Sequence, residues 1–364
     1  MIVLGEFFRL MRERGASDLH LCAGAPPVCR RHGEMEPIEQ QKLADDTVRK
    51  LVFELLTAEQ RSHFEREHEL DFSYEVPGVA RLRGNVFEQR NGVGAAFRIL
   101  PTEIIPFESL GLPDAVLRLT DIERGLVVVT GPPGSGKTTT LAALIDHINR
   151  TQQKHIITIE DPIEYLHENK GCLVNQREVG RDTSSFKAAL RSALREDPDV
   201  ILVGEMRDLE TMGLAITAAE TGQVVYGTLH TTSAPQTVDR IVDAFPINQQ
   251  QQIRTMVSGS LQGIVAQRLV RRADRSGRIA AAELLFRTPA VAAMIRESKT
   301  FQLASVLQTG KKEGMQSMDD SLMNLVLNGV ISKDEAVRYA LNKETVDAYA
   351  SHVATVRAAV PTTA

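Results

Sequence analysis

Apolar and polar residues alternate through Asp71-Phe72-Ser73-Tyr74-Glu75-Val76, and a two-residue period predicts a half-buried strand. Pro77-Gly78 marks a turn into a second strand over residues 81–87, and residues 92–99 read as its neighbour. Upstream, the apolar spacing of Met1-Ile2-Val3-Leu4-Gly5-Glu6-Phe7-Phe8-Arg9-Leu10-Met11 fits an amphipathic helix that ends near Gly15. Short strands are expected around residues 18–22 and 27–31, and two helices between residues 45 and 67. Residues 1–100 therefore read as a small α+β domain.

Pro101, Pro106 and Pro113 stiffen the stretch 101–113, which reads as an extended linker. From there to about residue 230, short apolar runs alternate with helical patterns, so the second domain, residues 114–364, is expected to hold a mostly parallel α/β sheet. Beyond residue 245 the pattern reads as largely helical, and residues 360–364 are expected to fray.

Composition narrows the class. The chain has 364 residues, 43% hydrophobic and 24% charged, enough for a sizeable core in two domains. A net charge of −5 argues against a nucleic-acid partner. Cys22, Cys29 and Cys172 are far apart and no C-x-x-C pair occurs, so neither a disulfide framework nor a thiolate zinc site is expected. His63 and His68, five residues apart, would not share a helix face and read as solvated. No apolar run approaches about 18 residues and the start lacks a cleavable pattern. A cytoplasmic protein without direct membrane insertion is expected.

Chemistry concentrates at strand ends. The apolar run 126–130 leads into Gly131-Pro132-Pro133-Gly134-Ser135-Gly136-Lys137-Thr138 and a helix from Thr139 to about residue 149. This G-x-x-x-x-G-K-[ST] loop lies in the strand–loop–helix context that phosphate binding needs. Glycines let backbone N–H groups turn toward phosphates, and the helix start adds its positive dipole end. Lys137 would reach the β and γ phosphates, and the Thr138 hydroxyl would ligate Mg²⁺.

Glu160, Asp161 and Glu164 follow the apolar run 155–159, and Gly204-Glu205 follows the run 200–203. Carboxyl ends of strands face the ligand crevice of such a sheet. Gly204 supplies no carboxylate, so Glu205 or the 160–164 cluster must serve the metal. One assignment has Glu205 holding Mg²⁺ through water while Glu164 orients the attacking water; the reverse fits the residues as well. His230 ends a third run, 223–229, where it could sense the γ-phosphate or serve the fold. Arg81 and Arg83 share a strand face with Asn85, and Arg98 belongs to the adjacent strand. They form either a solvated basic face or arginine fingers offered to a phosphate site, which can be a neighbouring subunit's.

Taken together, these segments resemble the secretion-type ATPase superfamily and, within it, the PilT-type retraction ATPases of type IV pili. Gly15-Ala16-Ser17-Asp18-Leu19-His20-Leu21 with Gly24-Ala25-Pro26-Pro27 is similar to the family's opening signature. Residues 158–164 resemble its Asp box, 203–208 its atypical Walker B with Gly-Glu, and 227–234 its His box. The resemblance implies a PAS-like N-terminal domain before a RecA-like P-loop motor domain with a helical C-terminal region. It implies a homohexamer that hydrolyses ATP with Mg²⁺, Glu205 being the Walker B acid and Glu164 the catalytic glutamate. It also implies that Arg81, Arg83 and Arg98 project toward the nucleotide. Partners implied are an inner-membrane pilus platform protein and, indirectly, the pilin filament, which places the motor peripherally at the cytoplasmic face.

The chain lacks the four-cysteine insert of assembly and secretion ATPases, and residues 308–319 look like the retraction group. One departure stands out. The family's A-I-R-N-L-I-R-E appears as Ala290-Val291-Ala292-Ala293-Met294-Ile295-Arg296-Glu297, with Ala-Ala in place of the central Arg-Asn. An accessory, extension or secretion ATPase, or a nucleotide-switched scaffold, is the alternative reading.

Overall fold

The computed structural model describes residues 4–31 and 34–359; residues 360–364, expected to fray, lie outside them. The chain divides into two units: 1–103 with 162–166, and 104–161 with 167–364.

In the first unit a six-stranded antiparallel sheet has the order β3-β2-β1-β6-β5-β4. Its strands are β1 Asp18–Cys22, β2 Val28–Arg31, β3 Glu34–Pro37, β4 Glu69–Val76, β5 Ala80–Gln89 and β6 Gly92–Leu100. Alternation decides which face is buried: Leu82 and Val86 on β5 are fully buried, while Arg81, Arg83 and Asn85 are only half-buried. Helix Leu4–Arg14 buries Leu4, Phe7, Phe8 and Met11, and Phe8 meets Phe97 edge to face at 5.2 Å. Gly84 is required by packing, since a Cβ there would stand 2.6 Å from the Phe72 ring. Strand β3 was not expected, because Glu34-Met35-Glu36-Pro37 carries no apolar period.

The second unit is built on a seven-stranded sheet, order β13-β12-β7-β11-β10-β8-β9. The strands are β7 Gly125–Thr130, β8 His155–Glu160, β9 Leu173–Glu178, β10 Val200–Val203, β11 Val224–Leu229, β12 Leu261–Arg271 and β13 Arg278–Phe286. All neighbours run parallel except β13, which is antiparallel to β12. Every residue of β7, β10 and β11 is buried, as strands covered on both faces require. Phe107, within the stretch 101–113, is buried in this unit's core.

The expectation of a largely helical region beyond residue 245 is corrected: the hairpin β12–β13 extends the sheet past β7. Its strands run 11 and 9 residues. Most of β12 is buried, so it shows no two-residue alternation, and such an apolar run cannot be told from a buried helix by period. Helices do follow from Pro289–Arg296 to Lys343–Ala359.

Candidate nucleotide site

Four parallel strands of the second unit bring their carboxyl ends to one edge, and each ends in one of the segments singled out above. β7 passes through residues 131–136 into helix Lys137–Thr151, which starts two residues earlier than expected. Gly131, Gly134 and Gly136 have φ of 149°, 74° and 89°, backbone that side-chain-bearing residues rarely adopt. No side chain caps this helix, whereas those beginning after Ser185, Asp208, Ser233 and Thr288 each start on a capping side chain. A helix start left to backbone N–H groups suits an anion.

Lys137 is buried, and its ammonium donates to the carbonyls of Gly131 at 2.9 Å and Pro132 at 3.3 Å. The same nitrogen stands 3.3 Å from Nδ1 of His230. An ammonium only donates, so Nδ1 accepts and the ring proton sits on Nε2. That Nε2 donates to Oε1 of Glu205 at 2.8 Å. The other Glu205 oxygen pairs with Arg207 at 2.8 Å. Burial works to raise the Glu205 pKa, but the Arg207 bond and charge, together with His230, outweigh it and hold the carboxyl below its ordinary range. Arg207 is pushed up in turn by its bond to Glu205. The ordered chain Lys137–His230–Glu205–Arg207 thus joins three strand ends. Sequence reasoning gave Arg207 no role; its position two residues past Glu205 was the available signal.

Gly204 allows this convergence. A Cβ on it would lie 3.1 Å from the Ile159 carbonyl oxygen, at the end of the neighbouring β8. The Thr130 hydroxyl at the end of β7 donates to the Thr231 carbonyl at 2.7 Å, tying the segment after His230 to the phosphate loop.

The three acids after residue 159 do not act as one cluster. Glu160 is buried and accepts from Thr158 at 2.7 Å and Gln176 at 3.2 Å, so its side chain is bound within the sheet. Glu164 lies in the segment 162–166, which belongs to the first unit. Within that unit the Arg81 guanidinium donates to the carbonyls of Ile163 at 3.0 Å and Glu164 at 3.4 Å.

Arg83 and Arg98 are not lone basic residues. Arg98 pairs with Asp18 at 2.8 Å, and Arg83 approaches Asp71 at 3.7 Å. Both guanidiniums stay well exposed, at 68% for Arg98 and 41% for Arg83. Asp71 is exposed too, so Arg83 can exchange its pair for a stronger anion at little cost, whereas Asp18 is buried and depends more on Arg98.

The donor set suits Mg²⁺ held jointly with nucleotide oxygens. Thr138 and Glu205 offer hard oxygens, and among the described residues no group of three His, Cys, Asp or Glu side chains could hold a metal alone.

A family model described as type II/IV secretion system protein matches residues 30–338. The chain belongs to this family. The type IV pilus retractation ATPase PilT of Pseudomonas aeruginosa is 53% identical over 91% of this chain and 96% of its own length. A twitching motility protein of Neisseria gonorrhoeae is 50% identical, over 88% and 86% respectively. A crystal structure of the pilus retraction motor PilT with bound ADP superposes with a TM-score of 0.88 at 48% identity, covering 95% of this chain and 99% of that one. The α/β architecture, an N-terminal unit followed by a P-loop unit, is therefore that of the secretion ATPases.

Proposed function

We propose that this chain is an ATP-hydrolysing motor that drives type IV pilus retraction, working as a homohexamer. The observation that carries the reading is the link from the phosphate-loop lysine through His230 to Glu205. It supplies a cationic phosphate contact and an ionised carboxylate for a metal at one sheet edge. The chain's similarity to the PilT proteins over nearly its whole length supports the specific task.

In this reading Gly131, Pro132, Pro133, Gly134, Ser135, Gly136, Lys137, Thr138 and Thr139 hold the ATP phosphates. Thr138 and Glu205 would hold Mg²⁺, which would supply charge neutralisation for the phosphate oxygens. Glu164 orients and deprotonates the attacking water. Arg83 and Arg98 stabilise the developing charge, while Arg81, expected beside them as a finger, holds the backbone at Ile163 and Glu164. Among the described residues no helix is long and apolar enough to cross a membrane. The motor would sit at the cytoplasmic face of the inner membrane through a platform protein, acting on the pilin filament indirectly.

A second reading, an accessory motor, has one observation behind it. Where the retraction group carries Arg-Asn, helix Pro289–Arg296 has Ala292 buried and Ala293 half-buried, with no polar side chain to offer a partner. Surface pili counted in a deletion strain, complemented with wild type or Glu205→Ala, separate the readings. Excess pili corrected only by wild type support retraction. Bald cells would mean extension, and unchanged pili an accessory role.

A further inference from the structure

We propose that Gln267 is a positioning residue of the phosphate loop, resting on the nucleotide site argued above: its side-chain amide turns the Ser135–Gly136 peptide so that the Gly136 N–H faces the phosphates. Strand β12 runs beside β7, with Ala266 opposite Thr130, so Gln267 stands level with the start of the loop. It is 1% exposed. Its Nε2 donates to the Ser135 carbonyl at 2.7 Å; a carbonyl only accepts, so the atom facing it must be the amide nitrogen.

The peptide plane gives this bond a direction. A trans peptide points its C=O and the following N–H to opposite sides. A Ser135 carbonyl drawn out toward β12 therefore sends the Gly136 N–H the other way, into the concavity of the loop. The loop also lies close to position 267 at both ends, against its main chain at Gly131 and against its side chain at Gly136. A Cβ on Gly131 would clash with the Gln267 carbonyl oxygen, and one on Gly136 would lie 3.1 Å from its Nε2.

The side chain is poorly chosen for packing alone. Its Oε1 is buried without a hydrogen-bond partner among the described residues, as is the Ser135 hydroxyl. A buried orphan acceptor costs stability that an apolar side chain of the same length would avoid. Keeping an amide here makes sense for its donor.

The test is ADP binding to the full chain with Mg²⁺, by calorimetry, for wild type, Gln267→Met, Gln267→Glu and, as reference, Lys137→Ala. Gln267→Met keeps length and volume but has no donor. It exchanges one buried orphan acceptor, Oε1, for another, the Ser135 carbonyl, so without nucleotide it should unfold close to wild type, yet bind ADP about tenfold more weakly. Gln267→Glu should bind weakly at pH 8 and, relative to wild type, recover at pH 5.5, where a protonated carboxyl can donate to Ser135. Wild-type affinity in Gln267→Met beside lost binding in Lys137→Ala would overturn the proposal and leave the site standing. Wild-type affinity in Lys137→Ala would overturn the site, and this proposal with it. Should Gln267→Met not fold, the Glu variant decides: no recovery at low pH overturns the assignment.

Discussion

The ammonium nitrogen of Lys137 stands 3.3 Å from Nδ1 of His230, so one imidazole links the phosphate loop to the carboxylate 2.8 Å beyond its other nitrogen. His230 therefore bridges two charged residues, and the tautomer that joins them is set by its neighbours. Replacing it by alanine should leave ADP affinity within about threefold, yet lower kcat about 10- to 100-fold, the usual cost of losing a group that orients primary ligands. Steady-state ATPase rates beside calorimetric ADP affinities check this. A variant that lost affinity while keeping kcat would place His230 on the nucleotide instead.

Glu164 and Glu205 separate by what each substitution removes. Glu205 is held ionised by Arg207 and His230 against the opposing effect of burial, the state a metal-side carboxylate needs. Glu205→Gln should raise the Mg²⁺ concentration needed for half-maximal rate. Glu164→Gln should leave that Mg²⁺ dependence and ATP binding unchanged while lowering kcat about 10²- to 10⁴-fold, the range for a lost general base. An Mg²⁺ titration of both variants distinguishes the roles, and the opposite pattern would exchange them.

Arg81 and Arg83 stand two apart on one strand face but have different partners. Arg81 holds the carbonyls of Ile163 and Glu164, whereas Arg83 faces Asp71 and stays 41% exposed. Arg81→Ala should lower kcat through disorder around Glu164 without changing the preference for ATP over ADP, and Arg81→Lys should restore part of the rate. Arg83→Ala should lose hydrolysis in the assembled ring while keeping ATP binding. Mixing Arg83→Ala with Lys137→Ala subunits should return some activity if the guanidinium acts on a neighbour's nucleotide; no recovery at any ratio would exclude that route.

Much of this site was legible because its motifs are local. The phosphate loop, Gly204-Glu205 and His230 are short runs at ends of fully buried strands, and apolar patterning marks such strands. What was not legible depends on long-range register. Gln267 reaches Ser135 across 132 residues of sequence, on a strand whose burial hid its period. The pairing of Arg98 with Asp18 follows from β1 lying beside β6, which no local spacing announces. Glu160, Asp161 and Glu164 looked alike in sequence, yet Glu160 is bonded inside the sheet and Glu164 belongs to the other unit.

His167 yields a pH prediction with a definite sign. It begins the return of the chain to the second unit. Its backbone N–H is bonded to Gln176 at 2.7 Å, and its Nδ1 is buried without a partner among the described residues. Burial pushes the imidazole down to about 4, with Asp146 working against the shift and Lys170 with it. The unfolded chain, with an ordinary value of 6.5, takes up this proton first as pH falls. Stability is therefore full above about pH 6.5 and declines toward about pH 4, by about 3 kcal/mol from this group. His167→Gln keeps a polar side chain without the titration, and should flatten the fall in the denaturant midpoint between pH 7 and pH 5 relative to wild type. Parallel profiles for the two proteins would mean that the buried imidazole is not what makes the second unit acid-sensitive.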